Sequence, residues 1–562
     1  MTYRRTYALG AIALLVIAFL YWPVIHFNFV WDDWQSFHDR PWLIEGDLWK
    51  HYILRDFNYW EYYFRPLVVG FFALQLHVFG SSPGPMHAIS LALHLIDVAL
   101  VGVLAWRCAT QSQLDAARKP WLVPLCMLLY GLHPALIETV AWIGCQFELV
   151  LILFVLLGLV ANISIQKPWL RAGVVAMIFF LAACSKEAAL SFPLLLALFD
   201  WMLFSGGKNL RFIDSVMTTL RHNWRTYLGI ALSGIAYLAF RHWALGAVTS
   251  NFYAPPAPPL ARVWEISTVY LHYLQVITWP ISSMSPIHPY EPQDFLGQMP
   301  PESFLAITLA LVVAGGGLYL TLARKSSFGG MIVAATAALL PVLHIIPVEF
   351  EANLYHERYA SLALATICAM VPMLRRPTWL KWRIGILMTR PAATIAVFFW
   401  FAFSIIGIRI VLPNWANDVT LWTWVLSSHP HDPQPKSNLL FAYLKTKNYA
   451  AGRQFGDKVL ADPTPCTVCM LNIAQLALLQ HDPDRAAIAL ERARNTRQIT
   501  ADKQTLRTYY LLTGQMLMQQ GKKEDAQNVL RAALSLTPED TEIKELLNIV
   551  LTQSVQPAPV RP

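Results

Sequence analysis

Apolar segments of bilayer-spanning length recur through the first 412 residues of this chain, and they restrict its fold more tightly than any other feature. Inside lipid an unpaired backbone N–H or C=O finds no water, so the spanning segments must satisfy themselves internally, as helices do. Of 562 residues, 56% are hydrophobic and 14% charged, too apolar a balance for one soluble core of this length. The formal charge of +8 does not signal nucleic acid, because the basic residues fall in short clusters between apolar runs. Their placement reports topology instead.

Eleven spans are predicted, near Tyr7–Trp22, Met86–Trp106, Trp121–Leu136, Leu149–Ile165, Arg171–Cys184, Ala189–Phe204, Tyr227–Phe240, Phe304–Leu322, Met331–Pro347, Tyr359–Met373 and Ala392–Leu412. Several fall short of the ~20 residues a lipid-facing helix needs, so their ends can extend by a few residues. Basic clusters at Arg107–Lys119, Lys167–Arg171, Lys208–Arg225, Arg324–Lys325 and Arg375–Arg390 reach one side under a single alternation, and that side is expected to be cytoplasmic. Arg4 and Arg5 place the N-terminus there, and the odd number of spans puts everything after Leu412 outside. Two more apolar stretches, Pro66–Phe79 and Val263–Trp279, would break this parity and are assigned to helices lying on the outer surface or dipping into it. No small-residue cleavage site is evident near Tyr21–His26, so the first span is read as uncleaved.

After Pro413 the chain changes character. From about Pro435 it is polar and helical, with Gly452, Ala486 and Ala526 each flanked by amphipathic pairs, as are the small residues that let two helices of a tetratricopeptide repeat cross closely. Gly452 and Ala486 stand 34 residues apart, the period of that repeat, whereas the step to Ala526 is longer and needs an insertion around Gln498–Thr505. Gly514 and Pro538 sit at the expected offsets around Ala526, and the first two copies are degenerate. Three repeats are expected, with a plain helical hairpin domain as the alternative. The expected architecture is all-α: a transmembrane module over 1–412 with a first outer loop over 24–85, a linker over 413–434 and a helical repeat domain over 435–562.

Ionisable residues gather on the predicted outer face. Asp32 and Asp33 follow the first span within Phe29-Val30-Trp31-Asp32-Asp33-Trp34. They read either as chemistry or as a helix cap beside a solvated carboxylate. Four more clusters end apolar spans on the same side: Tyr63-Phe64-Arg65-Pro66-Leu67, His133-Pro134 with Glu138, Ser185-Lys186-Glu187, and Tyr355-His356-Glu357-Arg358-Tyr359. Charge inside a span costs ~2.5–3.5 kcal/mol, so ionisable groups collected at one depth point to a polar cavity. For each cluster alone, capping or snorkelling is the competing explanation. His87 and His94 share a helix face and read as packing or interhelical bonding; His272 and His288 flank a surface stretch after a proline-rich loop. There is no GxGxxG, Walker loop or nucleophile elbow, which argues against a nucleotide-sugar donor on a cytosolic fold.

The order Val30-Trp31-Asp32-Asp33, Phe64-Arg65-Pro66-Leu67, His87 and His94, His133-Pro134 with Glu138, Ser185-Lys186-Glu187, Glu357-Arg358-Tyr359 and the terminal repeats resembles the transmembrane, tetratricopeptide-bearing O-mannosyltransferases, within the C-type class of membrane glycosyltransferases. It departs at His356-Glu357-Arg358-Tyr359-Ala360, where that pattern continues with more aromatic residues, and in the degenerate first repeats. The resemblance implies transfer of a mannose-like sugar from a polyprenyl-phosphate carrier to an acceptor hydroxyl, on Ser or Thr of exported protein, at the outer face of a bacterial plasma membrane. The repeats would then dock the protein acceptor.

Such chemistry needs a carboxylate to take the acceptor proton and cations to stabilise the departing phosphate. Asp32 and Asp33 suit the first task, since like-charge repulsion raises one of two neighbouring carboxylates. Arg65, Lys186 and Arg358 suit the second. His133, Glu138, Glu187, His356 and Glu357 are assigned to the surrounding pocket. A divalent metal bridging the Asp pair and a His is left open, as no fixed ligand spacing is present. A cell-surface glycan or lipid A is the other acceptor class, and a non-catalytic scaffold or transporter the other function class. Gathering of charge at one face, rather than at mid-membrane in paired halves, favours the enzyme. Cys466 and Cys469 are expected either to form a disulfide, in an oxidising compartment, or to stand as small buried apolar residues.

Overall fold

The computed structural model describes residues 2–38, 53, 63–112, 119–205, 211–248, 257–280, 284–288, 292–345, 353–374, 383–496, 499 and 503–553. It separates into two compact units, Met1–Asn417 and Asp418–Pro562. Among the described residues there is no strand. The first unit runs α1 (Thr2–Tyr21), α2 (Pro66–Phe79), α3 (Pro83–Gln111), α4 (Lys119–Gly131), α5 (Ile137–Ala141), α6 (Gln146–Ser164), α7 (Pro168–Ala183), α8 (Phe192–Asp200), α9 (Phe212–Leu245), α10 (Pro259–Thr278), α11 (Pro301–Leu322), α12 (Ser327–Leu339), α13 (Ser361–Met370) and α14 (Arg383–Val411).

Among the described residues seven helical segments are long and apolar enough to cross a membrane, or eight if the bent pair of α4 with Pro134–Ala141 is one span. The chain is a multi-pass helical membrane protein. As far as the described residues reach, each of the eleven predicted spans falls on a helix; α4 and α8 reach spanning length only with the turns beside them, whereas α7, α12 and α13 lie in no segment long enough to span. α7 has 16 residues and gives way to the turn at Cys184 and Ser185. α12, with 13, and α13, with 10, each tighten into a 3-10 turn where Pro341 and Pro372 cannot supply the next helical N–H. The two stretches assigned to the surface are helices, α2 and α10; α10 begins earlier than expected because Pro259 is preset for a first helical position.

Burial identifies the centre of this unit. The span from Ile143 to Ser164 is 67% buried, against 17% for Pro301–Leu322, so α6 is wrapped by other helices while α11 shows most of its surface outward. Close crossings depend on glycine. A Cβ at Gly131 would enter the side chains of Ile17 and Val98, where α4 passes α1 and α3. At Gly329 it would lie 2.8 Å from the Thr321 backbone N and 2.9 Å from the Gly317 carbonyl, so α11 and α12 touch through their main chains.

A polar knot joins the far end of α6 to α8 and α9. Asp200 accepts from Asn162 (2.7 Å), Asn223 (2.6 Å) and the Tyr227 hydroxyl (2.7 Å), and Asn223 also donates to Asn162. Asn223 leaves helical geometry inside α9, at φ −129°, so the kink coincides with the side chain that reaches into this knot.

The second unit continues with α15 (Asp418–Ser428), α16 (Pro433–Lys445), α17 (Tyr449–Ala461), α18 (Thr467–Leu479), α19 (Pro483–Arg494), α20 (Lys503–Gln519), α21 (Lys523–Leu536) and α22 (Thr541–Gln553). Part of the stretch read as linker, 418–428, is thus helical and belongs to this unit. Helix starts are written locally: Asp432 and Asp482 cap the N–H groups of Gln434 and Arg485 ahead of Pro433 and Pro483 at the first helical position, and Asn448 caps Ala451. Consecutive helices pack on one another, and α16, α18 and α20 form a continuing inner row. Gly452, Ala486 and Ala526 are buried at these crossings, where a Cβ on Gly452 would press on Leu476 and Tyr443. Cys466 and Cys469 form a disulfide at the start of α18.

Two expectations follow from this packing. Gly329→Val must push α11 from α12 and should cost about 1–3 kcal/mol, read as a lower unfolding temperature of the purified chain in micelles; an unchanged temperature would mean the crossing can relax. In the second unit Lys436 Nζ lies 2.6 Å from Asp462, whose carboxyl is held below the usual range first by that bond and then by the Thr464 backbone N–H. A depressed folded-state pKa stabilises above the unfolded value, about 3.9, and its contribution fades as pH falls below it towards the folded value. The difference in unfolding temperature between wild type and Asp462→Asn should therefore hold steady above pH ~4 and shrink below it.

Candidate functional site

One cavity of about 130 Å³ opens between the residues that follow α1 and the bundle. Five segments distant in sequence wall it: Asp32–Phe37, Tyr63 with Arg65, Trp142–Glu148, Lys186, and Arg358 with Tyr359. Each comes from a turn or a helix start rather than a helix middle, which lets short polar stretches face inward without breaking a span.

The two aspartates have different surroundings. Asp33 is fully buried; its Oδ1 accepts the Gly144 N–H at 3.1 Å and its Oδ2 faces the Val30 N–H at 3.4 Å. It fastens the turn after α1 to the turn before α6. Asp32 is exposed and lines the cavity. The turn carries Trp31 at φ 54°, a left-handed conformation that costs a non-glycine residue about 1–2 kcal/mol. Stacking of Trp31 on Trp142, centroids 4.9 Å apart and 14° from parallel, accompanies it. Gly144 leaves room for the Trp142 indole, which a Cβ there would meet at 2.9 Å.

All three cations are held in a similar manner, each by a close carboxylate and at least one aromatic face. Arg65 donates Nε and Nη2 to Glu187 (2.9 and 2.8 Å) and lies over Tyr63 and Phe147 at 4.1 and 4.9 Å. Lys186 pairs with Glu148 and sits 4.4 Å over Tyr359. Arg358 donates to Glu138 at 2.6 Å, reaches the Tyr359 hydroxyl at 3.2 Å, and lies 5.0 Å over Trp142. Burial pushes the Lys186 ammonium below its ordinary value, and Glu148 acts in the opposite direction. A cation so placed is oriented before any ligand arrives.

The sequence-predicted residues thus divide into two layers. Asp32, Asp33, Arg65, Lys186 and Arg358 line the cavity together. Glu138 and Glu187 stand behind it as the partners of Arg358 and Arg65. Glu357 is turned away, accepting from the Ser285 N–H (3.2 Å) and meeting His288 Nε2 at 2.9 Å. His356 is buried against Tyr359 and Trp31, also outside the lining. His133 is a bracket: its Nδ1 accepts the Ala135 N–H, so Nε2 carries the proton and donates to the Ile277 carbonyl at 3.1 Å, tying the α4–α5 bend to α10. His87 and His94 likewise meet backbone carbonyls, of Asn28 and Gly131. Among the described residues no group of three or more His, Cys, Asp or Glu is disposed to hold a metal ion.

Tyr63 and Tyr359, from the predicted clusters, also line the wall, as do Glu148 and Trp142, which lie outside every predicted cluster. Glu148 is the important omission. It opens α6 immediately before the predicted span at Leu149, where an acid reads as an ordinary first-turn residue. Searches of family models, of curated proteins and of solved structures return no match to this chain.

Removing one member of a buried pair strands the other, at about 3–5 kcal/mol. Glu138→Ala should therefore destabilise the chain strongly, because Arg358 loses the carboxylate at 2.6 Å and Glu148 stands no closer than 4.0 Å. Adding Arg358→Met should recover much of the loss in denaturant unfolding. A double variant no better than the single one would show that the pair is not what the site rests on.

Proposed function

We propose that this chain is a membrane glycosyltransferase that moves a sugar from a polyprenyl-phosphate carrier to an acceptor hydroxyl, with Ser or Thr of exported protein as the acceptor. The observation that carries the reading is the meeting of an exposed carboxylate, Asp32, with three pre-oriented cations, Arg65, Lys186 and Arg358, in one cavity. That is the equipment an alcohol and a phosphate leaving group require.

In this reaction the acceptor oxygen attacks the anomeric carbon while Asp32 takes its proton. The bond from that carbon to the phosphate oxygen breaks, and its electron pair leaves with the phosphate, whose charge the three cations receive. Asp33 acts by position, holding the turn that presents Asp32. Guanidinium groups suit the phosphate because each can offer two parallel N–H donors. Basic clusters between spans support a cytoplasmic N-terminus and an outward-facing site, in a bacterial plasma membrane. The eleven-span count and the C-type fold belong to the same proposal, with the short helices α7, α12 and α13 crossing as parts of longer bent segments. Paired helices with buried Gly452, Ala486 and Ala526 support tetratricopeptide repeats in the second unit, where they would receive the acceptor.

Glycoproteomic comparison of cells with and without the chain tests the proposal, which requires loss of one sugar mass from defined proteins. With the acceptor in hand, Asp32→Asn should lower transfer by about 10²–10⁴-fold while insertion survives, and Asp33→Asn should lower it less, since an amide oxygen can still meet the Gly144 N–H. Unchanged transfer in both variants would remove the aspartates from the chemistry. Arg358→Lys should weaken binding of the lipid donor.

A further inference from the structure

Glu148 carries more than an ion pair. Its side chain is 6% exposed and lines the cavity; Oε1 meets Lys186 and stands 4.0 Å from Arg358 Nε, whereas Oε2 is buried with no hydrogen-bond partner. Buried carboxylate oxygens are rarely left so, because the missing bond costs about 1–3 kcal/mol or more. An ionised carboxylate only accepts, so whatever completes Oε2 must be a donor. A phosphate is excluded as that donor by its own charge. The remaining polar part of a glycosyl phosphate is its hydroxyls.

Position narrows the choice. Lys186 and Arg358 flank Glu148 and face the same cavity, so a phosphate held by those two cations brings the first carbons of its sugar beside the carboxylate. The hydroxyl nearest a glycosidic phosphate is the one on the neighbouring ring carbon. We propose that Glu148 Oε2 accepts a hydrogen bond from the hydroxyl next to the anomeric centre of the lipid-linked donor, making Glu148 a specificity-determining residue; this rests on the glycosyl-donor reading of the cavity. Glu148 also orients Lys186 through its other oxygen, so one side chain places both the sugar and its leaving group.

The test pairs a change in the protein with a change in the ligand. Purified full-length chain in micelles is titrated with mannosyl phosphopolyprenol and with its 2-deoxy analogue, followed by tryptophan fluorescence, since Trp142 lines the cavity. Wild type should bind the 2-deoxy lipid about 10- to 100-fold more weakly, the worth of a hydrogen bond to a charged group. Glu148→Leu, or Glu148→Ala should the first variant misfold, leaves no acceptor for that hydroxyl and should bind the two lipids within about threefold of each other. Any general weakening from a displaced Lys186 cancels in that ratio. Full discrimination retained by the variants, or none shown by wild type, overturns the assignment of Glu148 alone. Failure of wild type to bind either lipid overturns the donor reading together with it.

Discussion

Bringing three cations into the wall of a helical membrane bundle is favourable only if each one arrives with compensation, and the cavity is organised around that requirement. Arg65, Lys186 and Arg358 are each matched to a different glutamate, Glu187, Glu148 and Glu138, and each lies over at least one aromatic ring. The carboxylate offsets the desolvated charge, and the ring face adds attraction while fixing the plane of approach. Because partners lie up to 220 residues apart in sequence, pairing doubles as a topological clasp that draws distant turns to one point. The Asp33–Gly144 bond, 111 residues long in sequence, completes the set by anchoring the segment after α1.

How much of this was legible beforehand depended on contrast. Asp32, Asp33, Arg65, Lys186 and Arg358 stood out because each is charged beside an apolar run, and all five line the cavity. Contrast does not reveal which way a side chain points. Glu138, Glu187, His133, His356 and Glu357 shared the same local signal, yet their bonds place them behind the wall or facing another helix. Glu148 failed for the opposite reason: a single acid at the mouth of α6 satisfies the ordinary rule for helix starts, and its pairing with Lys186 exists only in three dimensions. No residue-level pattern anticipated the left-handed Trp31, whose conformation is accompanied by a stacking partner 111 residues away.

Helix positions were read well and helix lengths less so. Hydrophobicity marks where the chain enters lipid, but termination belongs to particular residues: the prolines after α12 and α13, and the turn after α7. The break between α4 and α5 follows the same logic, with a 54° bend at the His133-Pro134 step. There His133 caps the new direction with one ring nitrogen and secures it to α10 with the other. A residue chosen as a pocket candidate thereby explains the shape of the span that carries it.

The second unit is a row in which each helix leans chiefly on its neighbours, and several of its helices carry their own start signal in a capping side chain. Such a row has no single core whose volume must be conserved. Its cooperativity is therefore that of a chain of links: a hairpin can be inserted, duplicated or lost while those further along the row keep their contacts. Length in this part of the molecule can change in discrete steps between descendants, whereas the cavity, closed by pairs that span the whole first unit, admits no comparable increment.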